Sequence, residues 1–278
     1  MKALFDNSSL KCSKVVTNTY STSFSLGIKL FAPTIRPYIY AIYGFVRYAD
    51  EIVDSFNDYP QEVLFNEFVN DYRLALDRKI SLNPIINAFQ DVVHKYDLQV
   101  YADAFLKRME ADLYVSDYTT KEDYENYIYG SADVVGLMCL RVFVHNDDKK
   151  FDHLKKSAQH LGSAFQKINF LRDIKDDIEH LGRSYFPNLA VNNLNNANKE
   201  EIIADIDQDL NEAYKGIVQL PIESRLGVYI AFRYYQKLLK KLRKADSEKI
   251  LNERIRISNS LKMFILTKSY IRYKLHIL

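Results

Sequence analysis

Glycine and proline are scarce in this chain, 8 and 6 among 278 residues, and neither gathers into a flexible or rigid stretch. Nothing therefore marks a linker, and the length suits one domain, residues 1–278, with a sizeable core. Cys12 and Cys139 are too few for a disulfide framework, and Cys139, inside the apolar run Val134 to Leu140, reads as a small core residue. A reducing cytoplasm fits that usage. The first residues lack the apolar segment of a secretory leader, and no apolar run reaches the roughly 18 to 20 residues of a membrane span. A Gly-rich phosphate loop, a nucleophile elbow and a dinucleotide fingerprint are all missing, which argues against a reductive step and an NADPH requirement. The six histidines form no metal-ligand pair, and His153 and His160 read as solvated. Tryptophan is absent, so the aromatic content is 21 Tyr and 16 Phe.

Helical periodicity is abundant, and period-two alternation is almost lacking. Helical patterns cover Pro33–Ser55, Gln61–Asp77, Pro84–Tyr96, Val100–Ser116, Lys121–Phe143, Asp152–His180, Lys199–Gln219, Ser224–Lys244 and a C-terminal stretch. The expected fold is all-α, a helical bundle around a central cavity. Between Pro187 and Ala197 the asparagines cluster as in a surface loop. The net charge of +2 is unevenly spread, with 13 Lys/Arg from Arg233 to Leu278 against Asp246, Glu248 and Glu253. From Leu261 to Lys274, apolar residues and cations interleave as an amphipathic helix arranges them, giving either peripheral contact with the inner face of the cell membrane or a core helix with a solvated basic face. No nucleic-acid motif accompanies the charge, so no nucleic-acid partner is expected.

Two acidic stretches carry the chemistry. Residues three and four apart share a helix face, which aligns Tyr43, Arg47, Asp50 and Asp54 in one and Gln166, Asn169, Asp173 and Asp177 in the other. Their other faces are apolar, so the carboxylates line a cavity. Crowded carboxylates repel and raise each other's pKa unless a cation neutralises them. An all-oxygen set of Asp50, Asp54, Asn169, Asp173 and Asp177 suits magnesium, with manganese as a substitute, completed by water and phosphate oxygens. Arg47, Arg172 and Arg183 stand beside the stripes, and guanidinium forks match phosphate. A magnesium-bound diphosphate is the ligand these residues describe.

Ser21-Thr22-Ser23-Phe24-Ser25, Ala41 to Arg47, Asp50-Glu51-Ile52-Val53-Asp54, Tyr127 to Ala132 with Val135-Gly136, Asn169-Phe170-Leu171-Arg172-Asp173 with Asp177, and Arg183-Ser184-Tyr185-Phe186-Pro187 together resemble the ordered motifs of the squalene and phytoene synthases. The likeness runs from about Leu10 onward and is nearest to the short bacterial phytoene synthases. Glu51 departs from the more usual Asp there. The resemblance implies the isoprenoid-synthase helical bundle, prenyl diphosphate substrates, catalytic roles for Asp50, Asp54, Asp173, Asp177 and Tyr127, and diphosphate contacts from Ser21, Ser23, Tyr43, Arg47, Gln166, Asn169, Arg172 and Tyr235. It further implies head-to-head condensation of two geranylgeranyl diphosphates to phytoene. Alternatives are a C30 squalene or dehydrosqualene synthase using farnesyl diphosphate, and a non-catalytic relative acting in assembly. Ile28 is expected along the prenyl tunnel with Tyr40 opposite it.

Overall fold

The computed structural model describes residues 1–114, 120–176, 185–186 and 194–275. Asp177, Arg183, Ser184, Pro187 and the asparagines from Asn188 to Asn193 lie outside the described residues. Within them the chain is all helical: α1 (Lys2–Tyr20), α2 (Thr22–Ile28), α3 (Arg36–Ser55), α4 (Gln61–Arg78), α5 (Pro84–Tyr96), α6 (Gln99–Asp112), α7 (Lys121–Ile128), a π-turn (Tyr129–Asp133), α8 (Val134–Phe143), α9 (Asp148–Asp176), α10 (Asn196–Ile217), α11 (Ile222–Lys244), α12 (Ser247–Asn252) and α13 (Asn259–Lys274). No helix among the described residues is long and apolar enough to cross a membrane.

Local chemistry sets several boundaries. Asn83 caps α5 by accepting from the amides of Ile85 and Ile86, with Pro84 in the first turn, where its missing N–H costs nothing. Thr120 caps α7, and Asn195 and Asn198 form a reciprocal capping box at α10. The start expected at Pro33 falls at Arg36, because Pro37 rather than Pro33 occupies the first turn and the chain before it makes tight turns.

Helix α3 is rotated into place by its apolar face. Phe45, fully buried, stacks on Phe89 at 3.9 Å and meets Phe68 and Tyr72 at 5.1 Å each. Such aromatic pairs each contribute about 0.5–1.5 kcal/mol beyond the area they bury. With Phe45 turned toward α4 and α5, the opposite face of α3 carries Tyr43, Arg47 and Asp50 inward to a cavity shared with α9 and α11. Long α9 packs along α8 and α10. Its partners there include a polar cluster in which His160 pairs with Asp209 at 2.8 Å, and Lys167 reaches Asp209 at 2.8 Å. His160 keeps 38% of its side chain exposed on this polar face, as read from sequence, and α10 adds a carboxylate partner to it.

Candidate active site

Four helices grade from apolar to polar toward the same end of one cavity of about 550 Å³, within the roughly 300–1,000 Å³ usual for ligand pockets. Along α3 the wall passes from Ile39 to Tyr43 and then Arg47 and Asp50. On α9 it passes from Leu154, Ala158 and Leu161 to Gln166, Asn169 and Arg172. Helix α11 offers Val228, Ala231 and then Tyr235, and α2 runs the other way, from Ser21 at the polar end to Phe24 and Ile28. A polar head and a long apolar tail are what such a gradient accommodates.

At the polar end the charges are already paired. Arg47 donates to Asp50 at 2.5 Å and to Glu51, and its guanidinium lies 4.6 Å from the Tyr20 ring. Asp173 receives two guanidiniums, from Arg172 with Nε at 2.8 Å and from Arg254 with Nε at 2.8 Å. Tyr235 stacks on Phe165 at 3.8 Å and donates its hydroxyl to Asn169 Oδ1 at 3.3 Å. Burial raises the Tyr235 hydroxyl pKa above its ordinary value, and that of Tyr43 likewise, against the pull of Arg172 and Arg47, so both remain donors at neutral pH. Two buried donors on this wall have no partner among the described residues, Arg47 Nε and the Ser131 hydroxyl. An unpaired buried donor carries a desolvation cost of about 1–3 kcal/mol that an acceptor in the cavity removes.

Asp50 keeps 34% of its side chain exposed, but that surface faces the cavity. Burial among protein atoms, then the charge of Asp54, push its carboxyl up to about 7. A carboxylate under that pressure favours a cation, and the oxygen donors Asp50, Gln166 and Asn169 share the wall. No group of three or more metal-ligating side chains is preassembled among the described residues. Magnesium takes one or two carboxylates and fills its shell with water and phosphate oxygens. The donor set fits the ion, with Asp50 and, once its arginines turn away, Asp173 as the described holders.

Of the residues read from sequence, Ser21, Tyr43, Arg47, Asp50, Tyr127, Gln166, Asn169, Arg172 and Tyr235 meet on this wall. Ser23, Asp54 and Asp173 do not form part of it: Ser23 stands in the first turn of α2, Asp54 one turn beyond Asp50, and Asp173 one turn beyond Asn169, held back by its arginines. Ile28 is on the wall as expected, but Tyr40 is buried elsewhere, since one residue is about 100° around α3 from Ile39, which takes that place. Cys139 packs against the core as expected and also lines the cavity wall, with its thiol pushed up to about 12 by burial. Arg254 and Ser131 were missed. Arg254 is one cation in a basic stretch with no helical register to single it out, and Ser131 is a small residue inside the Tyr127 to Ala132 motif that its type alone does not single out.

The Squalene/phytoene synthase family profile matches residues 17–260. The chain is 28% identical to 15-cis-phytoene synthase of Enterobacter agglomerans, over 82% of this chain and 84% of that protein. It is 26% identical to 4,4'-diapophytoene synthase of Staphylococcus haemolyticus, over 83% and 86%. The solved structure of a dehydrosqualene synthase in complex with ligand superposes with a TM-score of 0.84 at 20% identity, covering 97% of this chain and 98% of that one.

Proposed function

Because the chain belongs to the squalene/phytoene synthase family and is a prenyltransferase, we propose that it joins two geranylgeranyl diphosphates head to head to give phytoene. The polar-to-apolar gradient of the cavity carries this reading, since it matches a diphosphate head and a prenyl tail. Relatives named phytoene synthase in bacteria and in tomato support the C20 substrate. The relative named 4,4'-diapophytoene synthase keeps farnesyl diphosphate as the second reading.

Bound magnesium supplies Lewis-acid stabilisation of the departing diphosphate. Asp50 and Asp173 would hold it, releasing Arg47, Arg172 and Arg254 to turn their forks onto phosphate oxygens: three internal ion pairs are exchanged for pairs with the incoming ligand. Tyr235 and Tyr43 donate at the same end. The first prenyl group loses diphosphate, and the double bond of the second attacks its C1, forming a cyclopropylcarbinyl diphosphate with loss of a proton. A second ionisation, ring opening and proton loss give the linear product. Phe24, Phe165 and Tyr127 present rings on the wall, each able to stabilise a cation by about 0.5–2 kcal/mol. The apolar remainder excludes water.

Incubating the purified protein with magnesium and either C15 or C20 diphosphate, with and without NADPH, is expected to yield phytoene from the C20 substrate. A C30 hydrocarbon made in preference would replace this reading with the farnesyl one. Ile28 is 1% exposed and on the wall, so Ile28→Phe adds bulk costing about 1–3 kcal/mol in a close-packed site. The ratio of C20 to C15 turnover should fall several-fold in Ile28→Phe and hold in Ile28→Ala; an unchanged ratio in both would remove Ile28 from chain-length selection. Arg254→Ala should weaken binding of inorganic diphosphate with magnesium by about tenfold, the loss of one charge-assisted hydrogen bond. Calorimetry checks this, and unaltered affinity would confine Arg254 to holding Asp173.

A further inference from the structure

Helix α13 rests on α11 by a narrow side. Ser269 is its one buried residue, flanked by half-buried Leu261, Ile265, Leu266, Arg272 and Tyr273. At about 100° per residue the opposite side carries Met263, Phe264, Thr267, Ile271, Lys274 and Leu275. Met263 and Ile271 are each 51% exposed, Phe264 60% and Leu275 61%. The core-helix reading of this segment therefore fails, because its largest apolar side chains face solvent. Cations border them: Lys268 lies 6.0 Å from the Phe264 ring and Lys274 5.7 Å from the Tyr270 ring. From Asn259 to Leu275 there is no acidic residue.

We propose that this outward face of α13 docks the protein on an anionic lipid bilayer. An apolar stripe edged by lysines buries in the boundary between headgroups and acyl chains while the ammonium groups stay among anionic headgroups. The charge decides the occupant. A second copy would set Lys268 and Lys274 against their own like with no carboxylate to offset them, whereas an anionic leaflet complements every charge on the face. Helix α13 runs alongside the cavity: near its start Lys262 faces Tyr234 at 5.6 Å and Thr22 at 3.4 Å, at the polar end, and near its finish the Tyr273 hydroxyl donates to the Ile222 carbonyl at 3.5 Å. Docking by this face lays the long axis of the cavity parallel to the membrane surface.

The test is co-sedimentation of the full chain with vesicles of phosphatidylcholine alone or with a quarter phosphatidylglycerol. Binding should be at least about tenfold tighter with the anionic lipid, and half-molar salt should weaken it. Phe264→Ser with Ile271→Ser, and separately Lys268→Gln with Lys274→Gln, should each weaken it about tenfold or more. Turnover in detergent should stay at the wild-type level in both variants, and circular dichroism checks that they fold. Vesicle binding is read without substrate, so its failure is separate from failure of the condensation reading. Absence of binding by the wild type, equal binding by all three proteins, or a vesicle-free dimer that the Phe264→Ser, Ile271→Ser variant dissociates would overturn the proposal.

Discussion

Asp50→Asn, and independently Asp173→Asn, should each lower turnover about a thousandfold while leaving the fold intact. Asparagine keeps the shape and still accepts from the arginines, but it brings no charge to hold a cation as the diphosphate departs, where such electrostatic contributions are largest. For Asp50 a second readout separates chemistry from folding. Its carboxyl stands at about 7 in the folded protein against an ordinary 3.8, raised by burial and then by Asp54. A carboxyl raised on folding binds more protons in the native state between those two values, so the metal-free wild type loses stability as pH rises from about 4 to 7. The asparagine variant escapes that loss. Its melting temperature relative to wild type should therefore climb across pH 4 to 7 and level off above it, while its activity is lost at every pH. Near-normal turnover in either variant, or of the wild type in EDTA, would sink the assignment of these aspartates to the cation.

A comparably large effect is expected from one methyl group far from any charge. Helices α2 and α11 meet at Gly27 and Gly227, both on the cavity wall. A Cβ at Gly227 would lie 2.3 Å from a ring carbon of Phe31 and 2.8 Å from the Gly27 carbonyl oxygen, so either the helices part or the ring is driven inward. Phe31 has nowhere else to go, being buried edge-on against Phe143 at 5.1 Å. Gly227→Ala should cost about 1–3 kcal/mol of stability. By displacing α2, which carries Ser21, it should also lower C20 turnover about a hundredfold. The reciprocal change meets ordinary contact: a Cβ at Gly27 comes no closer than 3.8 Å to the Gly227 oxygen. Gly27→Ala should be neutral or slightly stabilising, as alanine is in a helix. Equal losses in the two variants, in melting temperature and in turnover, would contradict the close approach.

The part of each acidic stripe that reaches the cavity was legible in sequence because it stands on a helix whose apolar face is strong enough to fix its rotation; Asp54 and Asp173 stand off the wall, and Asp177 lies outside the described residues. Phe45 and its neighbours turn Asp50 inward, and Ile168 and Leu171 do the same for Asn169 and Arg172. Helix α1 was not legible, and its contacts explain why. Its buried face is Ser9, Ser13, Val16 and Thr17, with almost nothing apolar to repeat. The hydroxyls bond back to the helix itself, Thr17 to the Ser13 carbonyl at 2.9 Å, and the small side chains let Gly44 of α3 come so close that an added Cβ would lie 3.2 Å from that of Ser13. Close packing of small residues leaves no hydrophobic period to read. Arg254 escaped for a different reason: its meaning depends on Asp173, 81 residues away in the chain, and no local pattern encodes that pairing.

Tyr127 shows a subtler dependence. Helices α7 and α8 were expected as one run, Lys121–Phe143, and they are continuous except at Tyr129–Asp133, where the Val134 amide bonds to the Tyr129 carbonyl five residues back. Tyr127 and Val135, on either side, both face the cavity. Eight residues of uninterrupted α-helix would put them about 80° apart around the axis; with one residue absorbed by the wider turn, seven effective steps bring them to within about 20°. The aromatic ring thus reaches the wall through a phase correction in the helix, and a chain with the same tyrosine but no such turn would point it into the packing between helices.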